Sequence, residues 1–305
     1  MSVLAADVGG THCRLALLDR EGNVGRSETY ASAEHEALQP LIETFARGER
    51  IEAAGIGVAG PVVEGRAKLT NLPWSIDAAE LQRALRVPVC VINDLHAIAR
   101  GVRELQASGQ GLTVLRAGEP RRGPRLVVGL GTGLGKAVDL DGTILGSEGG
   151  HAELAPRNAR EWALRERWSH DGRTTVETLL SGSGLGRIHA FVAGRDAPLD
   201  GAEVSKLASE GDAAARDAVL WQVELFGSEV GNQALHALPS EGVFLAGGIP
   251  PKLHDLLGDA FVERFIAAFD AKPPMRELLQ RMPITLVREG DVGLLGSAAV
   301  ASALA

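Results

Sequence analysis

The sequence places an amide and a carboxylate side by side where an apolar strand pattern gives way to a helix. In "CVINDLHAIA" the strand-like run ends at Asn93, and helical spacing begins directly after Asp94. The carboxyl ends of strands in α/β sheets border the crevice that binds ligands. A carboxylate there can accept the proton of a hydroxyl group that attacks phosphorus. Asp is also a good helix N-cap, and Asp94 can serve both purposes.

Further polar side chains stand where the pattern predicts burial or turns. They are Asn71 in "LTNLPW", Glu148 and His151 in "SEGGHAE", and Glu177 in "VETLLSG". With Asn93 and Asp94 the set holds three carboxylates, two amides and an imidazole, which suit the neutral hydroxyls of a sugar. Their convergence is a hypothesis, because no chain spacing links them. Taken singly, the two glutamates would be solvated and His151 an ordinary turn residue.

The glycine-rich stretch "GLGTGLGKA" fits neither of two familiar phosphate motifs. A Walker loop needs Gly and Ser or Thr where this chain has Leu130 and Ala137. A dinucleotide fingerprint needs a following helix, whereas "KAVDLDG" alternates with period two and predicts a strand.

A hairpin turn without Cβ atoms explains this stretch better. Its backbone N–H groups can converge on an anion. "DVGGTH" offers a second such turn, so the two can grip a triphosphate, with Thr11 and Thr132 adding hydroxyl donors. Gly247 and Gly248 in "LAGGI" end a strand where a base or ribose can lie against bare backbone. Plain β-turn glycines are the alternative at each turn.

Two other kinds of site are excluded by the sequence. A structural zinc site at His151 fails, because no Cys follows it and Cys13 and Cys90 are remote. A serine-hydrolase elbow needs Gly-x-Ser-x-Gly, and "LSGSGLG" has only one glycine directly on each side of Ser183.

Composition bounds the class of protein. A chain of 305 residues, 45% of them hydrophobic, predicts two lobes. The net charge of -8 argues against binding to nucleic acid or to a membrane surface. Cys13 and Cys90 are expected to be reduced core residues of a cytoplasmic protein. The N-terminus begins with a strand pattern and lacks the features of a signal peptide.

The elements that must position these residues alternate between strand and helix, which predicts an α/β fold. The segment "AEHEALQPLIETFARG" is amphipathic, residues 213–236 form the longest predicted helix, and the C-terminal segment is an apolar helix. Residues 4–18 and 126–140 share one pattern of strand, Gly-Thr turn and strand. This duplication suggests two related lobes that close on a shared cleft.

The motifs together resemble the bacterial glucokinases of the hexokinase and actin-like ATPase superfamily. The resemblance covers nearly the whole chain in order: "DVGGT", "GVAGPV", "TNLPW", "INDLHA", "GLGTGLG", "EGGHAELAP", "ETLLSGSGL", "LAGGI" and "GLLGSAAVA".

The resemblance implies phosphorylation of glucose at its 6-hydroxyl by ATP with Mg²⁺, in a cytoplasmic homodimer. It implies an α/β, two-lobed actin-like ATPase (ribonuclease H-like) fold with a central cleft. Residues 1–102 plus 289–305 would form the small lobe, and residues 103–288 the large lobe.

The resemblance also implies roles for single residues. Asp94 looks like the catalytic base, and Asn71, Asn93, Asp94, Glu148, His151 and Glu177 look like glucose ligands. The residues that resemble nucleotide-binding positions are Asp7, Gly9, Gly10, Thr11, Gly131, Thr132, Gly133, Gly247 and Gly248. Asp7 is similar to the carboxylate that holds Mg²⁺ through water.

Three departures from the family pattern stand out. His12 replaces the usual Asn after "DVGGT", which affects the expected phosphate contact there. Lys136 stands where an apolar residue is common, and it is expected to be solvated, with a phosphate contact as the alternative. The Cys-rich zinc motif of the related ROK kinases and repressors is missing after Glu148, and no N-terminal helix-turn-helix precedes the first strand.

Three further functions remain open from the sequence. The same machinery can phosphorylate another hexose, such as mannose, fructose or an N-acetylated sugar. A catalytically silent sugar-binding regulator is a second alternative, against which Asp94 speaks, because a pure binder needs no base. A filament subunit is a remote third, disfavoured by the polar cluster.

Overall fold

A computed structural model of the chain describes residues 2–19, 22–69 and 72–305. The chain divides into two compact units. Unit 1 comprises residues 1–112, 142–146 and 289–305, and unit 2 comprises residues 113–141 and 147–288. Among the described helices, none combines the length and the apolar character that a bilayer crossing requires.

The described strands and helices alternate along the chain, which confirms the predicted α/β class. The strands are β1 (Ser2–Val8), β2 (His12–Leu18), β3 (Val24–Ala31), β4 (Ile51–Val58), β5 (Val62–Val63), β6 (Arg66–Lys68), β7 (Ser75–Asp77), β8 (Val89–Asn93), β9 (Leu112–Arg116), β10 (Arg125–Leu130), β11 (Leu134–Leu140), β12 (Thr143–Ser147), β13 (Gly242–Ala246) and β14 (Ile284–Val287). The helices are α1 (Leu38–Phe45), α2 (Ala78–Leu85), α3 (Asp94–Ser108), α4 (Ala159–Arg167), α5 (Val176–Leu179), α6 (Gly182–Val192), α7 (Gly201–Ser209), α8 (Ala213–Ala237), α9 (Ile249–Leu257), α10 (Asp259–Phe269), α11 (Arg276–Gln280) and α12 (Val292–Ser302).

The main sheet of unit 1 has the strand order β3-β2-β1-β4-β8. β1 runs parallel to β4, and β4 runs parallel to β8. The register pairs Val8 with Val58 and Val58 with Asn93, so the three strands end at one edge. The core residues of β1 and β4 are fully buried, as expected for strands covered on both faces.

The C-terminal helix α12 packs closely against α3 and β4 in unit 1. A Cβ atom at Gly101 would overlap the carbonyl oxygen of Val292, and one at Gly296 would overlap that of Ala97. At Gly55 on β4 the overlap would be with the carbonyl oxygen of Ser297. Glycine at these positions therefore lets two helices and a strand meet backbone to backbone.

Unit 2 contains a sheet that includes β11, β10, β13, β14 and β9 in that order. β10 and β11 form an antiparallel hairpin, and β13 runs parallel to β10. Unit 1 has the same arrangement in β1, β2 and β4. The repeated pattern of residues 4–18 and 126–140 is thus a repeated local structure.

Several predicted elements are confirmed, and one is shorter than predicted. The long helix and the C-terminal helix appear as α8 and α12, and "KAVDLDG" lies in β11 and the turn after it. The amphipathic segment 33–48 is α-helical only over Leu38–Phe45. Pro40 explains the late start, because in a helix that began earlier its ring would clash with the carbonyl of residue 36. The predicted lobe boundary at residue 102 falls within α3, and unit 1 continues to Leu112.

Replacing Gly101 by Ala tests the packing of α12 on α3. We expect Gly101→Ala to lower the free energy of unfolding by about 3 kcal/mol, because the backbone must shift to admit the methyl group. Ala is otherwise the better helix former by about 1 kcal/mol. Urea unfolding followed by circular dichroism measures the change.

Gly290→Ala is the matched control, since no atom lies within 4 Å of the position of its Cβ. We expect it to change stability by less than about 0.5 kcal/mol. Equal effects of the two substitutions would contradict the close packing of the helices.

Candidate functional site

In unit 1 the candidate residues gather at the edge where β1, β4 and β8 end. Asp7 is the penultimate residue of β1 and lies opposite Arg14 of β2. The first hairpin turn, residues 9–11, follows β1 directly. Asn93 ends β8, and Asp94 begins α3. The strand register therefore brings Asp7, the turn and Asp94 to one sheet edge.

The first hairpin turn is held by backbone hydrogen bonds and by one serine. The N–H of Gly9 donates to the carbonyl of His12 at 2.9 Å, and the N–H of Ser32 donates to the carbonyl of Thr11 at 2.9 Å. The Ser32 hydroxyl donates to the Gly9 carbonyl at 2.9 Å. Gly9 and Gly10 are half-buried, while Thr11 and His12 are exposed. The carbonyls of Gly9 and Thr11 are thus occupied from within the protein, and the Thr11 hydroxyl is on the surface.

Asp7 is a half-buried carboxylate in an unusual setting. Burial raises its pKa above the ordinary value, nearby Arg14 lowers it, and nearby Asp291 raises it again. Arg14 forms an ion pair with Asp291, so its charge is shared between two carboxylates. A cation placed beside Asp7 would offset the burial of its charge.

Asn93, not Asp94, is the N-cap of α3. Its side-chain oxygen accepts hydrogen bonds from the N–H groups of Leu95 at 2.9 Å and His96 at 3.3 Å. Its side-chain nitrogen donates to the Gly60 carbonyl at 3.0 Å. Asp94 is half-buried, and its Oδ1 accepts from the Leu95 N–H at 2.8 Å. The cap role expected of Asp94 belongs to its neighbour, because Asn93 has the extended backbone of an N-cap residue.

In unit 2 two candidate segments meet at Leu134, the first residue of β11. The Leu134 N–H donates to Oε2 of Glu177 at 2.9 Å. Gly150 lies so close to Leu134 that a Cβ atom on it would overlap the Leu134 carbonyl oxygen. Leu134 thus contacts both the α5 segment and residues 148–151, which we call the 148–151 turn.

The second hairpin turn, residues 131–133, lies beside the same glutamate. A Cβ atom on Gly133 would overlap Oε2 of Glu177. The Gly131 N–H donates to the Gly133 carbonyl at 2.9 Å, and the Gly131 carbonyl accepts from the Gly182 N–H at 2.9 Å. Thr132 is exposed.

Backbone hydrogen bonds also join the 148–151 turn to the segment that carries Glu177. The Val176 N–H donates to the Ala152 carbonyl at 2.9 Å, and the Leu154 N–H donates to the Thr174 carbonyl at 2.9 Å. Glu148 and His151 are both exposed. Structure around the second hairpin turn therefore brings Glu148, His151 and Glu177 into one region of unit 2.

The glycines predicted to lie near a nucleotide base follow β13. Gly247 has a φ of +88°, and a Cβ atom on it would overlap the Leu130 carbonyl oxygen at the end of β10. Gly248 precedes α9, with no atom within 4 Å of its Cβ position. These two positions therefore offer bare backbone next to the second hairpin turn.

The expectation that Lys136 is solvated is wrong. Lys136 is 2% exposed. Its Nζ pairs with Oε1 of Glu229 on α8 at 2.7 Å and donates to the Gly149 carbonyl at 2.9 Å. Period-two alternation puts Lys136 on the same face of β11 as buried Leu134. Two features of the sequence point to this ion pair. Lys136 stands on the apolar face of β11, and Glu229 stands within the largely apolar helix pattern of residues 213–236.

Asn71 lies outside the described residues. Within residues 2–19, 22–69 and 72–305, no group of three or more His, Cys, Asp or Glu side chains is arranged to hold a metal ion. A metal site here would rest on fewer carboxylates.

Comparison with known proteins places the chain among sugar kinases. The glucokinase family model matches residues 4–304. A glucokinase from Nostoc punctiforme is 34% identical, over 99% of this chain and 99% of its own length. The structure of a glucokinase from an Antarctic psychrotroph matches with a TM-score of 0.84 at 29% identity, over 98% of each chain.

A more distant structure shares the fold. The ROK family glucokinase from Streptomyces griseus, solved in complex with glucose and AMPPNP, matches with a TM-score of 0.69 at 22% identity, over 99% of each chain. These likenesses confirm the predicted actin-like ATPase fold class. The family match over residues 4–304 and the identity of 34% at full length carry the assignment: this chain belongs to the glucokinase family.

Proposed function

We propose that this protein transfers the γ-phosphoryl group of ATP to the 6-hydroxyl of D-glucose. The observation that carries the proposal is the position of Asp94. In a chain matched by the glucokinase family from residue 4 to residue 304, Asp94 begins α3 at the sheet edge that also holds Asp7 and the first hairpin turn.

Asp94 acts as the general base. Its carboxylate accepts the proton of the glucose 6-hydroxyl as that oxygen forms its bond to phosphorus and the bond from phosphorus to the leaving oxygen breaks. The Leu95 N–H donates to Oδ1 of Asp94 at 2.8 Å, which orients the carboxylate at the first residue of α3.

The other polar side chains bind the sugar. Glu148, His151 and Glu177 bind hydroxyl groups through side chains gathered around the second hairpin turn, and Asn71 and Asn93 are proposed as further ligands. Asn93 already caps α3 through its oxygen and donates one amide hydrogen to Gly60. Its second amide hydrogen is therefore the group left to bind a hydroxyl.

Both hairpin turns bind the phosphates of ATP. Gly10, Thr11, Thr132 and Gly133 provide backbone amides, and Thr11 and Thr132 are exposed and add their hydroxyls. Gly9 and Gly131, whose N–H groups bond within the turns, provide backbone without a side chain. Gly247 and Gly248 receive the nucleoside part against backbone that carries no side chain. The complex of the Streptomyces griseus protein with glucose and AMPPNP supports this pair of substrates.

Asp7 fits the role of the residue that holds Mg²⁺. It is a single half-buried carboxylate whose pKa is raised chiefly by burial. Mg²⁺ commonly binds through one or two carboxylates, several waters and the phosphates of its substrate, so a cluster of protein ligands is unnecessary. When bound, the ion neutralises charge on the phosphates.

A coupled ADP-release assay across hexoses, with and without Mg²⁺, tests this function. We expect the highest kcat/KM with glucose and no turnover without Mg²⁺. A higher kcat/KM with mannose, fructose or an N-acetylated sugar would identify another hexose as the substrate. Sugar binding without any turnover would identify a regulator instead.

We also propose a cytoplasmic location and a homodimer, as in the family. The net charge of -8 and the two reduced cysteines suit the location. Light scattering on the purified protein measures the dimer, and a mass of one chain, 32.0 kDa, would refute it.

Asp94→Asn tests the general base. Asn keeps the shape of the side chain but cannot accept the proton, so we expect kcat to fall by about 10²–10⁴-fold. Glucose affinity, measured by calorimetry, should change much less. Turnover near the wild-type rate would show that another group takes the proton.

Asp212→Asn is the control for Asp94→Asn. Asp212 caps α8 in unit 2 through the Ala215 N–H, and Asn is an equally good cap. We expect its kcat to equal that of the wild type.

Asp7→Asn tests the Mg²⁺ site. We expect the Mg²⁺ concentration for half-maximal rate to rise about 10–100-fold, as for other residues that act on a metal through its outer shell. The rate is measured at saturating glucose and ATP against total Mg²⁺.

Asp19→Asn is the control for Asp7→Asn, because Asp19 follows β2 at the opposite end of the β1–β2 hairpin. If both variants require the same Mg²⁺ concentration, Asp7 has no role in holding the ion.

A further inference from the structure

Lys136 is a buried cation of unit 2 that the proposed reaction does not use. Its ammonium group pairs with Oε1 of Glu229 at 2.7 Å, and the residue is 2% exposed. Glu229 is itself 7% exposed, and its carboxylate also accepts from the side chains of Gln233 at 2.9 Å and Asn232 at 3.3 Å. The carboxylate is therefore fixed on α8, and it fixes the lysine in turn.

The second partner of Lys136 lies in the 148–151 turn. The Nζ atom donates to the Gly149 carbonyl at 2.9 Å. A Cβ atom on Gly149 would lie 3.0 Å from this Nζ, and one on Gly150 would overlap the Leu134 carbonyl. Glycine at both positions lets the turn rest directly on β11. The hydrogen bond from Lys136 then fixes the backbone between Glu148 and His151.

Charge compensation alone does not require this arrangement. Replacing both members of a buried ion pair by neutral groups of similar size is often harmless to stability, whereas removing one member leaves a costly buried charge. What a neutral pair would lack is the donor to the Gly149 carbonyl. A role for Lys136 is therefore expected to show in sugar binding rather than in the free energy of unfolding.

The same face of α8 also holds the α5 segment, which carries Glu177. Gln222 lies seven residues before Glu229, which places both side chains on one face of the helix. Its side-chain nitrogen donates to the carbonyl of Leu179, the last residue of α5, at 3.2 Å and to that of Ser181 at 3.0 Å. One helix face thus anchors the backbone of both segments.

We propose that Lys136 is a positioning residue for sugar binding. Held by Glu229, it donates to the Gly149 carbonyl and fixes the turn that presents Glu148 and His151 to the sugar. This inference rests on the proposed function, because it takes those two side chains as sugar ligands. Lys136 itself touches neither substrate.

The decisive variant is the neutral pair Lys136→Met with Glu229→Gln. It removes both charges and the donor to Gly149. We expect the glucose KM, and the glucose Kd measured by calorimetry, to rise at least fivefold, while the ATP KM stays within twofold of the wild type. Thermal stability should stay close to that of the wild type.

The two single variants separate the effect on thermal stability from the effect on sugar binding. Lys136→Met leaves Glu229 buried without its cation, so it should lower the Tm as well as raise the glucose KM. Glu229→Gln keeps the lysine donor, and its glucose KM should rise less than that of Lys136→Met. If Lys136→Met does not fold, the neutral pair still carries the test.

Arg116→Met is the matched control. Arg116 pairs with Asp270 at 2.9 Å in the same unit, with 15% and 13% of the two side chains exposed. Arg116 donates hydrogen bonds to Asp270 and to the carbonyls of Met282 and Leu279, none of which lies in the 148–151 turn or in the α5 segment. We expect a lower Tm with an unchanged glucose KM.

Two results separate failure of this inference from failure of the proposed function. A wild-type protein without glucose-dependent ADP release would refute the function. Wild-type turnover together with a normal glucose KM in the neutral pair would refute the role of Lys136 alone. A rise in the ATP KM equal to the rise in the glucose KM would also refute it, since a general distortion of unit 2 would then be the cause.

Discussion

The candidate site of unit 2 depends on close contact at a single residue, Leu134. Its N–H group is held by the Glu177 carboxylate at 2.9 Å, and its carbonyl lies against Gly150. A side chain at Gly133 or Gly150 would separate these groups. Glycine at positions 133 and 150 is therefore required for the close packing around the second hairpin turn. The proposed sugar ligands and the proposed phosphate-binding turn are thus joined through the same few backbone atoms.

In unit 1 the equivalent constraint is strand register. Val8, Val58 and Asn93 are paired across three parallel strands, so Asp7, next to Val8, and Asp94, next to Asn93, lie near the same edge of the sheet. The residues proposed to hold the metal and to accept the proton are thereby brought to one edge by strand pairing. The duplicated hairpin gives unit 2 the same base of β10, β11 and β13, and there the polar groups come from helices and turns instead.

The sequence predicts this architecture well where local chemistry decides it. Alternation identified β11, the Gly-Thr turns identified both hairpins, and the Asn93-Asp94 pair marked the junction of β8 and α3. The sequence does not show whether Asn93 or Asp94 caps α3, because either residue type suits an N-cap. The extended backbone of Asn93 decides it. The sequence wrongly predicts a solvated Lys136, because its partner, Glu229, is 93 residues away. Long-range pairs of this kind leave little trace in local spacing.

The placement of Lys136 also explains how a charged residue is tolerated on an interior face of β11. Burying one charge is costly, and burying two opposite charges within 2.7 Å of each other is tolerable when the remaining donors and acceptors are satisfied. Gln233, Asn232 and the Gly149 carbonyl provide those partners. An apolar residue at position 136 would need none of them, yet it would leave the Gly149 carbonyl without this donor. The ion pair therefore has a use that packing alone does not supply: it connects the longest helix of the unit to the turn between Glu148 and His151.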